Sequence, residues 1–141
     1  MTNDLYKIMA LDYGDVRIGI ALSDLTRTIA NGYENYVRKS SVDEDLEHII
    51  GIAKNNNVKL VVFGLPYNMD GTESNQTLKT KAFAEEFASV SGIDIKFQDE
   101  RLTSRIAERM LIDADVSRKK RKNVLDKLSA TIILQDYLNQ I

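Results

Sequence analysis

Cysteine and tryptophan are absent from this chain, and proline and histidine occur once each. Without cysteine there is no disulfide, no thiol nucleophile and no thiolate-held zinc. The single histidine, His48, cannot build a multi-histidine metal site, so any metal is held by oxygen, which favours Mg²⁺ or Mn²⁺ over Zn²⁺. No apolar run approaches bilayer-spanning length. Residues 1–7 lack the basic-then-apolar pattern of a secretion signal. These absences read as a cytoplasmic protein with no membrane partner. A G-x-x-x-x-G-K-[ST] phosphate loop is also missing. Neither sign of charge dominates, with 19 basic against 21 acidic residues and a net charge of −2. Any affinity for nucleic acid must therefore come from local patterning.

The bulk of the chain is ordinary for a globular protein. It has 141 residues, 43% of them apolar and 28% charged, enough for one core. With no repeat, low-complexity tract or linker, residues 1–141 read as a single domain. Residues 5–13 read as a strand, Gly14-Asp15 as a turn and residues 16–22 as a second strand with alternating apolar positions. A third strand falls within 29–38, completing an antiparallel meander. Ser41 and Glu44 are spaced as a capping box for a helix reaching Asn55, with Leu46, Ile49, Ile50 and Ala53 on one face. Residues 58–63 form a continuous β-branched run that suits a buried parallel strand. A loop from Gly64 to Gly71 follows, then a helix over 73–89 with Leu78, Ala82, Phe83 and Phe87 inward. Residues 93–97 give another strand, 104–112 a short helix, 113–121 a polar, mobile stretch and 123–139 a last helix. The order β-β-β-α-β-α-β-α-α predicts an α/β fold with a mixed five-stranded sheet, three antiparallel strands followed by two parallel ones, flanked by helices.

Three carboxylates stand where these elements end. Asp12 closes Ile8-Met9-Ala10-Leu11, Glu100 follows the last strand, and Asp126 lies inside the final apolar helix pattern. Asp12 could be a turn residue before Gly14, and Glu100 a first-turn acid favoured by a helix dipole. Asp126 shares a helical stripe with Ala130, Ile133 and Tyr137, where an Arg or Lys could also satisfy it. Ligands of such sheets sit beyond the carboxyl ends of the strands, and Asp12, Gly64 and Glu100 all fall there. Carboxylates on a rigid frame are what two hard cations need to hydrolyse a phosphodiester.

Arg118, Lys119, Lys120, Arg121 and Lys122 form the one strong cationic block. It could be a solvated loop. At the start of a helix, however, clustered positive charge opposes the macrodipole, which points to an anionic partner. Arg101 could clamp a phosphate or orient an acid. Asn68, in the polar loop after Gly64-Leu65-Pro66, could contact phosphates or sugars.

Four motifs in order carry a resemblance over essentially the whole length. They are Leu11-Asp12-Tyr13-Gly14 with Arg17-Ile18-Gly19-Ile20-Ala21-Leu22-Ser23-Asp24, then Gly64-Leu65-Pro66-Tyr67-Asn68-Met69-Asp70-Gly71-Thr72. Asp99-Glu100-Arg101-Leu102-Thr103-Ser104 comes next, and residues 114–122 lead to Asp126-Lys127-Leu128-Ser129-Ala130. The chain resembles the YqgF/RuvX family of bacterial ribonuclease H-like proteins, described as candidate pre-16S rRNA nucleases or Holliday junction resolvases. The resemblance implies a ribonuclease H-like fold and a Mg²⁺- or Mn²⁺-dependent nuclease with catalytic, metal-holding acids at Asp12, Glu100 and Asp126. It also implies a cytoplasmic role in maturing the 5′ end of 16S rRNA, as a monomer or homodimer, on structured RNA, alone or with the ribosomal particle. The nearest rival is a junction resolvase acting on branched DNA, which should be a two-fold dimer. An actin-like kinase or ATPase shares the Asp-x-Gly turn but needs a second such domain. A nucleic-acid-binding module without catalysis would bind phosphate better without the acids.

Overall fold

The computed structural model describes residues 5–100 and 118–141, and of residues 118–127 the helical backbone alone. In chain order the elements are β1 (Lys7–Tyr13), β2 (Arg17–Ser23), β3 (Ala30–Val37), α1 (Val42–Asn55), β4 (Val58–Leu65), α2 (Asn75–Ser91), β5 (Asp94–Asp99) and α3 (Arg118–Leu138). The strands form one sheet in the order β3-β2-β1-β4-β5. β1 pairs antiparallel with β2, and β2 with β3, while β4 lies parallel to β1 and β5 parallel to β4. This is the mixed α/β sheet expected from the sequence.

Side-chain alternation sorts the sheet into two faces. Met9, Leu11 and Tyr13 of β1, Ile18, Ile20 and Leu22 of β2, and Val61 and Phe63 of β4 pack under α1 and α2. The other parity faces α3: Ile8 and Ala10 of β1, Ala21 of β2 and Val62 of β4 meet Ala130, Ile133, Leu134 and Leu138. β1 and β4 are buried on both faces, which is why they read as unbroken apolar runs. Gln135 ties α3 to the sheet edge. Its Oε1 accepts from the Ala30 amide at 2.9 Å and its Nε2 donates to the Thr28 carbonyl at 3.1 Å.

Several boundaries differ from the expectation. β4 continues through Gly64 and Leu65, because its parallel pairing with β5 runs on to Leu65↔Asp99. α2 starts at Asn75, and its N-terminus carries a full capping box in which Ser74 and Thr77 exchange side-chain and backbone hydrogen bonds. Thr77, Thr80, Phe83, Ala84 and Phe87 turn inward, and Leu78 and Ala82 are left exposed. At α1 the Ser41 hydroxyl accepts from the Glu44 amide as expected. The Glu44 carboxylate, however, takes the Ser40 and Ser41 hydroxyl protons rather than closing the box. Ile52 is buried where Ile50 was expected; Ile50 is half-buried. Residues 118–121, read as part of a mobile stretch, open α3 instead. The short helix expected at 104–112 lies outside the described residues.

Candidate active site

The two faces decide where the acids go. Asp12 has the parity of Ile8 and Ala10, so it belongs to the α3 side. Its antiparallel partner is Gly19. The Leu11↔Phe63 pairing puts Gly64 next to Asp12 along the parallel neighbour. Asp12 is thus flanked on both adjoining strands by residues without side chains. Glu100 follows β5 with the parity of Gln98, whose partner on β4 is Gly64. The Glu100 amide donates to the Leu65 carbonyl at 3.1 Å, extending the ladder one step. A Cβ at Gly64 would overlap the Glu100 carboxylate and press on Ile133 Cδ1. Gly64 is the space in which Glu100 lies.

Glu100 is 9% exposed, and its Oε2 is buried with no hydrogen-bond partner among the described residues. A buried carboxylate oxygen without a donor is costly. Burial, and then the nearby Asp12 and Asp99 charges, push the Glu100 carboxyl up to about 9. Asp12 and Glu100 both line a cavity of about 330 Å³, together with Arg17, Pro66, Gln76 and the turn after β1.

The hairpin beside the acids is fixed from several directions. Gln76 Nε2 donates to the Tyr13 carbonyl at 2.9 Å. Gly14 donates to the Arg17 carbonyl at 2.9 Å, so tightly that a Cβ at Gly14 would lie 2.7 Å from that oxygen. Arg38 donates from Nη1 to the Gly14 carbonyl at 3.1 Å and lies over the Tyr13 ring at 4.7 Å. Arg38 is itself held by Asp45, a fully buried carboxylate that accepts from Arg38 Nε, Tyr36 Oη and the Lys39 amide, each at 2.9 Å. Burial alone would raise the Asp45 carboxyl, but those donors outweigh it and hold it below its ordinary value. Burial and Asp45 together push Tyr36 up to about 12. The sequence reading did not single out Asp45. Its signal was an acid beside Leu46 and one turn before Ile49, both on the inward face of α1.

Of the residues named from sequence, the structure brings Asp12 and Glu100 to one cavity. Asp126 belongs to α3, the helix that covers this face. Its side chain lies outside the described residues, as do those of Arg118, Lys119, Lys120, Arg121 and Lys122, whose backbone forms the start of α3. Arg101 lies outside the description altogether. Asn68 is exposed and does not line the cavity. Its amide closes a turn onto Thr72 Oγ1 at 2.9 Å. Among the described residues no three His, Cys, Asp or Glu side chains converge as a metal-binding set. The sequence reading missed Gly19 and Gly64 as the residues that flank Asp12, and it missed Arg17 and Gln76 in the cavity wall.

A mixed sheet in this strand order, with acids at the ends of its first and last strands on the face covered by the final helix, defines a ribonuclease H-like protein. In keeping with this, the Thermus thermophilus RuvC structure in complex with a Holliday junction substrate superposes with a TM-score of 0.59 at 12% identity, over 96% of this chain and 94% of that one. The family model for RuvX, described as Holliday junction resolvase, matches residues 6–140, and the chain belongs to that family. Among its curated relatives, a protein of Halothermothrix orenii is 48% identical over 133 residues, 94% of each chain. One of Caldanaerobacter subterraneus subsp. tengcongensis is 49% identical over 134 residues, 94% of this chain and 96% of that one. Both carry the name of candidate pre-16S rRNA nuclease.

Proposed function

We propose that this chain is a divalent-metal-dependent nuclease that hydrolyses phosphodiester bonds, with Asp12, Glu100 and Asp126 as its metal-holding acids, and that its substrate is the 5′ leader of pre-16S rRNA. The observation that carries the reading is the buried Glu100 oxygen with no donor, lying in the space left by Gly64 beside Asp12. The residues present fit a hard cation. The donors are all oxygen, one of them is already stripped of water, and Gly64 leaves the room in which the Glu100 carboxylate lies. Bound divalent cations supply neutralising charge for the nonbridging and leaving oxygens and lower the pKa of the attacking water. Mg²⁺ or Mn²⁺ suits such a site.

The chain's own residues set the frame for that chemistry. Asp12 sits on β1, between β2 and β4 in the sheet, a strand held by packing on both faces. Glu100 is anchored through its amide to β4. α3 carries Asp126 into the layer that covers the same face. The basic start of α3, with Arg101 and Asn68, serves the nucleic-acid backbone in this reading. No helix among the described residues is long and apolar enough to cross a membrane. The names of the relatives support rRNA as substrate. The family description supports a second reading, in which the same site resolves four-way DNA junctions.

The test is cleavage of two labelled substrates, a 16S precursor leader RNA and a four-way DNA junction, in Mg²⁺, Mn²⁺ or EDTA, by the wild type and by Asp12→Asn. Cleavage of the RNA alone, lost in EDTA and in the variant, is expected. Cleavage of the junction alone would replace the first reading by the second, and cleavage of neither would refute both.

A further inference from the structure

We infer that Arg17 is a substrate-binding residue of this site, its guanidinium gripping a backbone phosphate of the nucleic-acid strand that enters the cavity beside Asp12. The inference rests on the nuclease reading above and adds to it a cation that the motif acids do not supply.

Three observations converge on Arg17. The first is position. Ile18, Ile20 and Leu22 of β2 face α1 and α2, so Arg17 has the opposite parity and shares the sheet face of Asp12. Asp12 pairs with Gly19, which makes Arg17 its diagonal neighbour, with about 7–8 Å between the two backbone positions. Gly19 places no side chain between them. A phosphate bound between them would meet the guanidinium on one side and the acids, were they to hold a cation, on the other.

The second is the lack of a partner among the described residues. Arg17 lines the cavity that holds Asp12 and Glu100 and is the one cation among its described lining residues. Its guanidinium makes no hydrogen bond or ion pair with any described residue. The neighbouring basic groups are committed: Arg38 to Asp45 and the Gly14 carbonyl, Lys79 to Asp15. A half-buried arginine beside two acids, paired with neither, keeps its planar donor fork free for an incoming anion.

The third is support. The Arg17 carbonyl accepts from Gly14, the Gly14 carbonyl accepts from Arg38, and Val16 is held through its carbonyl by the Arg38 amide at 2.9 Å. The base of the side chain is thus fixed while its head is free. This combination positions a substrate without the backbone reorganising at the moment of binding.

The experiment compares wild type, Arg17→Gln and Arg17→Lys by fluorescence anisotropy, with Ca²⁺ in place of the catalytic metal, on labelled leader RNA and on the four-way junction. The RNA and the junction strands are also prepared with single methylphosphonates, each removing one backbone charge. Arg17→Gln is expected to weaken binding about 10-fold or more and to lower the slope of log Kd against log salt by about one. Arg17→Lys is expected to recover part of the affinity. One methylphosphonate position should weaken the wild type strongly and Arg17→Gln not at all. Unchanged melting of Arg17→Gln is expected, since the guanidinium makes no hydrogen bond or ion pair with the described residues. Additive effects of the variant and the methylphosphonate at every position would overturn the inference, and so would an unchanged salt slope. Because the readout is binding, a wild type that binds but does not cleave would refute the nuclease reading while still deciding the role of Arg17. A wild type that binds neither nucleic acid would overturn both.

Discussion

Replacing Gly64 by alanine puts a methyl group where the Glu100 carboxylate and Ile133 already meet. Two effects oppose each other. Alanine restricts the unfolded chain more than glycine does, which stabilises the fold by about 0.5–1 kcal/mol. Forcing a carbon into a filled space costs about 1–3 kcal/mol. The collision wins, because the overlap is with a buried carboxylate whose own amide is tied to β4. A net loss of about 1–2 kcal/mol lowers Tm by roughly 3–8 °C for a domain of this size. Cleavage should suffer more than stability. A displacement of about 1 Å at a reacting group costs on the order of 100-fold, and Glu100 is the group that has to move. Thermal unfolding and kcat/KM on the cleaved substrate read the two effects separately. Gly64→Ala combined with Ile133→Val removes the Cδ1 side of the collision and leaves the Glu100 side. The double variant should regain at most part of the Tm and little of the activity. A Gly64→Ala protein that melts and cleaves like the wild type would refute the idea that Gly64 makes the room for Glu100.

Other consequences follow from the same contacts. In EDTA, Glu100 stays protonated in the fold up to about 9 while the unfolded chain ionises from about 4.5. Metal-free stability should therefore fall as pH rises between those values. The 2.5 pH units up to neutrality, at 1.36 kcal/mol each, cap the loss near ~3 kcal/mol. Urea unfolding at pH 5 and 7 checks this; Glu100→Gln should flatten the decline, and a wild type whose EDTA stability rises over this range would contradict it. Asp45 has the opposite sign. Its carboxyl is held below the ordinary value, so its contribution is present above that value and is lost as pH falls through the folded one. Asp45→Ala strands Arg38 and should cost about 3–5 kcal/mol in chemical denaturation; a loss under 1 kcal/mol would mean the network is dispensable. Gln135→Ala unties α3 from Ala30 and Thr28 and should cost about 1–2 kcal/mol, with faster amide exchange at Ala30 as the specific sign.

The sheet was legible because its strands announce themselves by burial. β1 and β4, covered on both faces, are continuous apolar runs, and β2 alternates around Ile18, Ile20 and Leu22. The strand-end rule carried Asp12 and Glu100 to one place. What sequence could not supply were quantities set by neighbours. α2 starts at a Ser74–Thr77 cap that matches no acidic capping pattern, and Leu78 looked like core and is not. Gly19 and Gly64 matter through what stands across from them, which requires the register. That Arg17 has no partner among the described residues depends on which partners the other cations have taken. The burial of Asp45 shows only once Tyr36, Arg38 and Lys39 close around it.

α3 follows every described strand and lies across β1, β2 and β3, on the face that holds Asp12. The antiparallel β1-β2-β3 unit uses contacts close in sequence, whereas β5 and α3 reach the site from far downstream, and such long-range contacts form slowly. A chain emerging from the ribosome can thus complete its meander while the acids are still scattered. In a nuclease whose substrate belonged to the ribosome itself, this delay would be a safeguard in time: the means of cutting RNA would come together only after the helix that covers Asp12 had docked.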